Sequence, residues 1–201
     1  MGSSTYGRPP TYNGGGMRFW WAAVLVSVVA VILAVVVKST EYRCIFVNAL
    51  GYDGHSGTII PLEFCMVPGD GSLYLDSQNI YGMDFQMAVA TARDVFMQRY
   101  SSHGKSVFLR VHGAPEYFDG RSVALAIYAG IFAVNFGYDI STYAITGDLS
   151  SDGSVLPVAY VDEKAFAFDG PLVVPKTNCR GGFLCISRVS QLEDILSSKR
   201  V

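Results

Sequence analysis

The 201 residues contain no Gly-x-x-x-x-Gly-Lys-Ser/Thr phosphate loop, so no ATP-driven motor is expected within them. Charge is sparse: Asp, Glu, Lys and Arg make up 16% of the chain, with a formal net of −2. The basic residues form neither a stripe nor an alternation with aromatics. Nucleic-acid binding, which needs a positive footprint for phosphates, is therefore not expected. The chain has three histidines and four cysteines but no Cys-x-x-Cys and no His pair, so neither a metal site nor another cofactor is predicted. Internal repeats are also lacking, which argues against solenoids and propellers.

Apolar residues are abundant instead. They make up 50% of the chain, and the mean hydropathy is +0.30, enough for one membrane segment plus one ordinary globular domain. Residues 1–18 are rich in Gly, Ser, Tyr and Pro and include Gly14-Gly15-Gly16. Such a composition buries too little apolar surface to offset chain entropy and predicts a disordered tail. From Phe19 to Val37 the chain is uncharged and mostly aliphatic, bounded by Arg18 and Lys38. At about 1.5 Å per residue this run nearly matches a hydrocarbon core of about 30 Å. Residues 19–38 are thus expected to form a single transmembrane helix, with Trp20 and Trp21 in the interfacial belt. A cleaved signal peptide fits less well, because the run exceeds the usual apolar region and Val35 to Ser39 lacks a small-x-small cleavage site.

The positive charges flanking the span almost balance, with Arg8 and Arg18 before it and Lys38 and Arg43 after it. The short tail is assigned to the cytoplasm and residues 39–201 to the other side. Cys44, Cys65, Cys179 and Cys185 would be free to form disulfides there, and Cys179 with Cys185 could close a loop around Gly181-Gly182. Cys65 and Cys185 lie in apolar stretches and can equally be buried thiols.

The soluble part reads as α+β. Runs at 44–50, 58–67, 106–111, 142–145 and 172–174 alternate or are apolar and end in Gly, Asp or Pro, which predicts strands. Helical spacing appears at 84–100, with Phe85, Ala88, Val89, Ala92 and Phe96 on one stripe. It appears again at 122–136, which is apolar all round and so expected to be buried, and at 189–198.

The chemistry centres on Ser122 in Asp119-Gly120-Arg121-Ser122 and Lys164 in Asp162-Glu163-Lys164. A serine hydroxyl needs a neighbour to take its proton, and lysine can do so only if desolvation lowers its pKa. Helical spacing puts Lys164 on one side with Val161, Ala165 and Phe168, an apolar setting. If Ser122 opens its helix, an oxyanion beside it lies at the positive end of the dipole. Each residue also has a plainer reading. Ser122 can be a helix N-cap, Lys164 a solvated lysine, and Thr146, Asp119 and Asp148 turn or strand residues. His112 is a second candidate base for Ser122.

Four segments together resemble the proteolytic domain of the Lon family between about Thr58 and Pro175. They are Met66 to Leu73, the helical Met83 to Met97, Val111 to Ser122, and Ile145 to Lys164 with Thr146-Gly147-Asp148 and Gly153-Ser154-Val155-Leu156-Pro157. The resemblance implies a Lon proteolytic-domain-like mixed sheet with packed helices, preceded here by the transmembrane helix. It also implies a serine endopeptidase whose catalytic pair is Ser122 and Lys164, acting on polypeptide. Thr146 would bond the lysine through its hydroxyl. Asp119 would shape the loop before the nucleophile or occupy the cleft at rest. Assembly into a homo-oligomer is implied as well. Arg121, Val123-Ala124 and Ala159-Tyr160 stand where the family has Pro, Ala-Gly and Gly-Gly. These departures leave open a non-catalytic descendant serving as a membrane-tethered binding or structural module.

Overall fold

Alternation of apolar and polar residues builds the centre of the domain. In the computed structural model, which describes Gly7, Trp20 and residues 24–29, 43–101, 104–113 and 116–198, β1 (Arg43–Tyr52) and β2 (Gly57–Pro68) pair antiparallel from Arg43↔Met66 to Tyr52↔Gly57. Ile60, Leu62, Phe64 and Met66 alternate inward along β2, as a period-two pattern requires. The connecting turn is closed by Asp53, whose Oδ1 accepts from the backbone N–H groups of His55 and Ser56, both at 2.8 Å.

Around this hairpin lie β3 (Leu73–Leu75), β5 (Lys105–Val111), β7 (Ala144–Ile145), β10 (Leu172–Pro175) and β11 (Leu184–Ile186). They form a seven-stranded sheet in the order β11-β10-β7-β1-β2-β5-β3. Pairing is antiparallel for β1 with β2 and β2 with β5 and parallel elsewhere, so the sheet is mixed. Two small pairs stand apart: β4 (Ile80–Tyr81) with β6 (Tyr117–Phe118), and β8 (Asp148–Leu149) with β9 (Val155–Leu156).

Helices α1 (Met83–Arg99) and α2 (Ala124–Phe136) contribute most of the core. The predicted α1 stripe is buried, and so is nearly every residue of α2. A Cβ at Gly130 would lie 2.2 Å from the Phe64 ring, so this glycine permits the helix to touch the sheet. Helix α2 stops at Gly137, which takes the left-handed conformation of a C-terminal cap at φ 79°. Helix α4 (Val189–Ser197) buries Val189, Leu192 and Leu196, and also Glu193. That carboxylate accepts from Arg99 at 2.9 and 2.7 Å and from the Tyr128 hydroxyl, which supplies the partners a buried charge needs.

The α+β expectation holds as a mixed sheet with helices packed on it. Three findings sharpen it. The serine-bearing helix is split into a 3-10 turn, Arg121–Val123, and α2 proper. Cys44 pairs with Cys65 and Cys179 with Cys185, so the buried-thiol reading of Cys65 and Cys185 gives way to disulfides. The short strands β3, β4, β6, β8, β9 and β11 add to the expected set. The chain from residue 42 onward forms one compact unit. The predicted tail apart from Gly7 and most of the predicted transmembrane run lie outside the described residues; within that run Trp20 and residues 24–29 are helical. No helix among the described residues is long and apolar enough to cross a membrane.

Candidate active site

Ser122 is fixed through its backbone. Its carbonyl accepts from the Gly147 N–H at 2.8 Å and from Thr146 Oγ1 at 3.2 Å, while Leu125 N–H donates to the Gly147 carbonyl at 3.0 Å. These bonds tie the start of α2 to the chain leaving β7. Neither the 3-10 turn nor α2 has a side-chain cap bond, so the N-cap reading of Ser122 does not hold. Its hydroxyl is turned elsewhere.

Lys164 supplies the partner. It lies in the five-residue helix α3 (Val161–Ala165), 42 residues along the chain, with Nζ donating to Ser122 Oγ at 3.1 Å. The residue is only 4% exposed. Burial disfavours the ammonium form and pulls its pKa down to about 8. Val161 and Ala165 flank it on α3, and Phe168 lies beyond the end of that helix. They pack in a small apolar cluster with Leu50, Ala144, Leu172 and Val174.

Thr146 is fully buried, and its hydroxyl bonds the Ser122 carbonyl. It therefore acts on the serine's backbone, where the resemblance implied a bond to the lysine. Asp119 is bonded within its own loop and also lines the cleft. Its carboxylate accepts from the N–H groups of Phe85 (2.9 Å) and Gly120 (2.8 Å) and from the Tyr117 hydroxyl (3.0 Å). The Phe85 N–H above all, at the third position of α1, holds its pKa below the ordinary carboxylate value. Asp119 thus caps α1 from a distance. A Cβ at the α1 cap position, Gly82, would collide with it.

His112 is directed elsewhere. Its Nε2 lies 2.9 Å from Glu63 Oε2, and its ring packs against Phe46, away from the Ser122 cleft. Arg121, where the resemblance has proline, donates from Nε to Asp148 Oδ2 at 2.8 Å and lines the cleft. Asp148 is correspondingly an ion-pair partner.

Ser122 and Lys164 open onto a cleft of about 490 Å³. One wall is Pro157 to Tyr160, and the other includes the β1 end from Ala49 to Tyr52. Asn178 braces the first wall: Val158 N–H donates to its Oδ1 and its Nδ2 donates to the Val158 carbonyl, each at 2.9 Å. Asn178, Tyr52 and Gly57 were not singled out by sequence reasoning. The Gly residue after the hairpin turn was the available signal, since a glycine opening a strand marks close backbone approach.

The site is thus an alcohol in hydrogen-bond contact with a dehydrated amine, at the mouth of an open cleft in an α+β domain. Such a pair is competent for base-assisted attack on a carbonyl. No family model matches the chain. Among curated proteins it is similar to a Lon protease of Fervidobacterium nodosum, at 27% identity over 126 residues. That stretch is 60% of this chain and spans 15% of that protein's length. The match supports a Lon-like relationship over that stretch.

Proposed function

We propose that the chain is a membrane-anchored serine endopeptidase that uses a Ser122/Lys164 dyad, without ATP, to cleave unstructured polypeptide. The observation that carries this reading is the 3.1 Å contact between Lys164 Nζ and Ser122 Oγ, with the lysine almost wholly buried. Neutral Lys164 takes the Ser122 proton, the oxygen attacks a peptide carbonyl, and the ammonium so formed hands its proton to the departing amine as the C–N bond breaks. The resulting acyl-enzyme is released by water, activated by the same amine. Because the folded pKa is about 8, the competent neutral amine is a minority at neutral pH. Acylation is expected to rise about tenfold between pH 7 and 9 and then level off.

Residues 19–38 are proposed as the single membrane span, with the catalytic domain outside the cytoplasm. The two disulfides favour an oxidising compartment. Substrates are then extended segments near the bilayer, and a homo-oligomer is part of the same proposal. Labelling of the full chain by a fluorophosphonate probe tests the enzyme reading. Ser122→Ala and Lys164→Ala should each lower labelling at least about 1000-fold. Equal labelling of all three proteins rejects the enzyme in favour of a non-catalytic module.

A further inference from the structure

The lysine side of the site rests on an unusual seat. Tyr160, four residues before Lys164, is the one non-glycine among the described residues with positive φ, at φ 59° and ψ 35°. A tyrosine in this left-handed geometry is strained, and strain persists only where the surroundings hold it. What holds it is Tyr52: the two rings stack with centroids 4.4 Å apart and planes 15° from parallel. Tyr52 is the last residue of β1, and its partner in the final rung of the ladder is Gly57. That glycine also touches the lysine segment. A Cβ there would lie 2.3 Å from the Glu163 carbonyl oxygen and 2.6 Å from the Lys164 Cα. A single rung of the hairpin thus meets α3 twice, by a ring on one strand and by bare backbone on the other.

We infer that the Tyr52–Gly57 rung is a clamp that sets the position of Lys164 against Ser122, making Tyr52, Gly57 and Tyr160 positioning residues for the base. This inference rests on the dyad reading. The stack holds the amino end of α3 and the glycine lets the helix sit flush against the hairpin, so the amine stays both close to the hydroxyl and out of water. Removing the ring loosens α3, and water then reaches Lys164.

The charged and titratable groups near Lys164 are Asp162, with its ion-pair partner Arg180, and Glu163 on α3, and Tyr52 and Asp53 on the hairpin. Tyr117, Asp119 and Arg121 precede the serine, Asp148 lies on β8, and Tyr160 is the stack itself. Its depressed pKa nonetheless has burial as its cause. A loosened α3 should therefore raise that value toward the ordinary 10.5.

Tyr160→Gly is the cleanest test, because glycine adopts this backbone freely and the side chain is 55% exposed, so the fold should survive. The rate of Ser122 acylation by a fluorophosphonate is measured on the full chain from pH 6 to 11. The expected result is a rate limb displaced upward by about one pH unit, with a roughly tenfold loss at pH 7 that vanishes near pH 11. Tyr160→Phe, which keeps the ring, should restore the wild-type profile. Tyr52→Leu should mimic Tyr160→Gly.

A Tyr160→Gly profile superimposable on wild type, or a rate lowered equally at every pH, overturns the clamp. The dyad reading fails separately, if wild type shows no Ser122-dependent labelling at all. In that event the pH dependence of Lys164 acetylation by acetic anhydride in Ser122→Ala, with and without Tyr160→Gly, still decides the clamp. An unmoved midpoint sinks it.

Discussion

The two halves of the candidate site are built to different standards. Ser122 stands at the head of α2, whose residues are nearly all buried in the main core, and its carbonyl is held by two further bonds. Lys164 stands on a helix of five residues, packed in a separate small cluster and steadied by a glycine contact and one ring stack. A helix this short has no stability of its own. Ser122 is therefore part of the scaffold, whereas Lys164 is a guest on it. Damage on the serine side should unfold the domain; damage on the lysine side should cost activity first.

The sharpest way to break this contrast is on the scaffold half. Gly130→Leu should destabilise by about 3 kcal/mol, since the new side chain must displace the Phe64 ring across a packed layer. Urea denaturation measures it, while acylation per folded molecule should stay near wild type. If activity instead falls in the folded fraction, the serine is less firmly built in than its bonds indicate.

Lys164→Met probes the other half and should work in reverse, abolishing acylation yet raising stability at pH 7 by on the order of 2 kcal/mol. The sign follows from the proton balance. The unfolded chain keeps this proton up to 10.5, whereas the folded protein releases it near 8. Wild-type stability should therefore rise with pH between those values. The advantage of the methionine variant is full below 8 and should shrink as 10.5 is approached. A methionine variant less stable than wild type at pH 7 would mean that the amine is not held at a cost.

The smallest expected effect is at Asp119, which joins the loop before Ser122 to α1. Asp119→Ala should lower the thermal midpoint modestly. Its folded pKa is depressed below 3.8, so its contribution is present above that pH and lost as pH falls through the folded value. Melting curves of variant and wild type should converge in acid, and a gap that persists there would assign the loss to packing.

Much of this architecture was legible in the sequence, because its long elements carry strong periodicity. The inward row Ile60, Leu62, Phe64 and Met66 and the stripe through Phe85, Ala88, Val89, Ala92 and Phe96 announce a strand and a helix without help from elsewhere. The apolar cluster beneath α3 was partly readable from Val161, Ala165 and Phe168. Hidden features share a different origin. The strands β8 and β9, of two residues each, exist through tertiary pairing and have too few residues to show a period. The clasp of Asn178 on Val158 spans 20 residues, the Asp119 cap 34 and the Arg99–Glu193 pair 94. Nothing local marks such partners, since an Asn or Asp in a loop has an adequate explanation as a turn residue. The pairing of Cys44 with Cys65 required the strand register, which places them directly opposite.

That cross-strand bond has a mechanical side. Cys44 is the second residue of β1, close to where the polypeptide enters the domain, and Cys65 lies on the adjoining strand. Tension arriving along the chain from its amino-terminal side is therefore split between two neighbouring strands at the doorway, and peeling β1 away requires breaking a covalent link first. The far end of the same hairpin, where Tyr52 faces Tyr160, is shielded from the load.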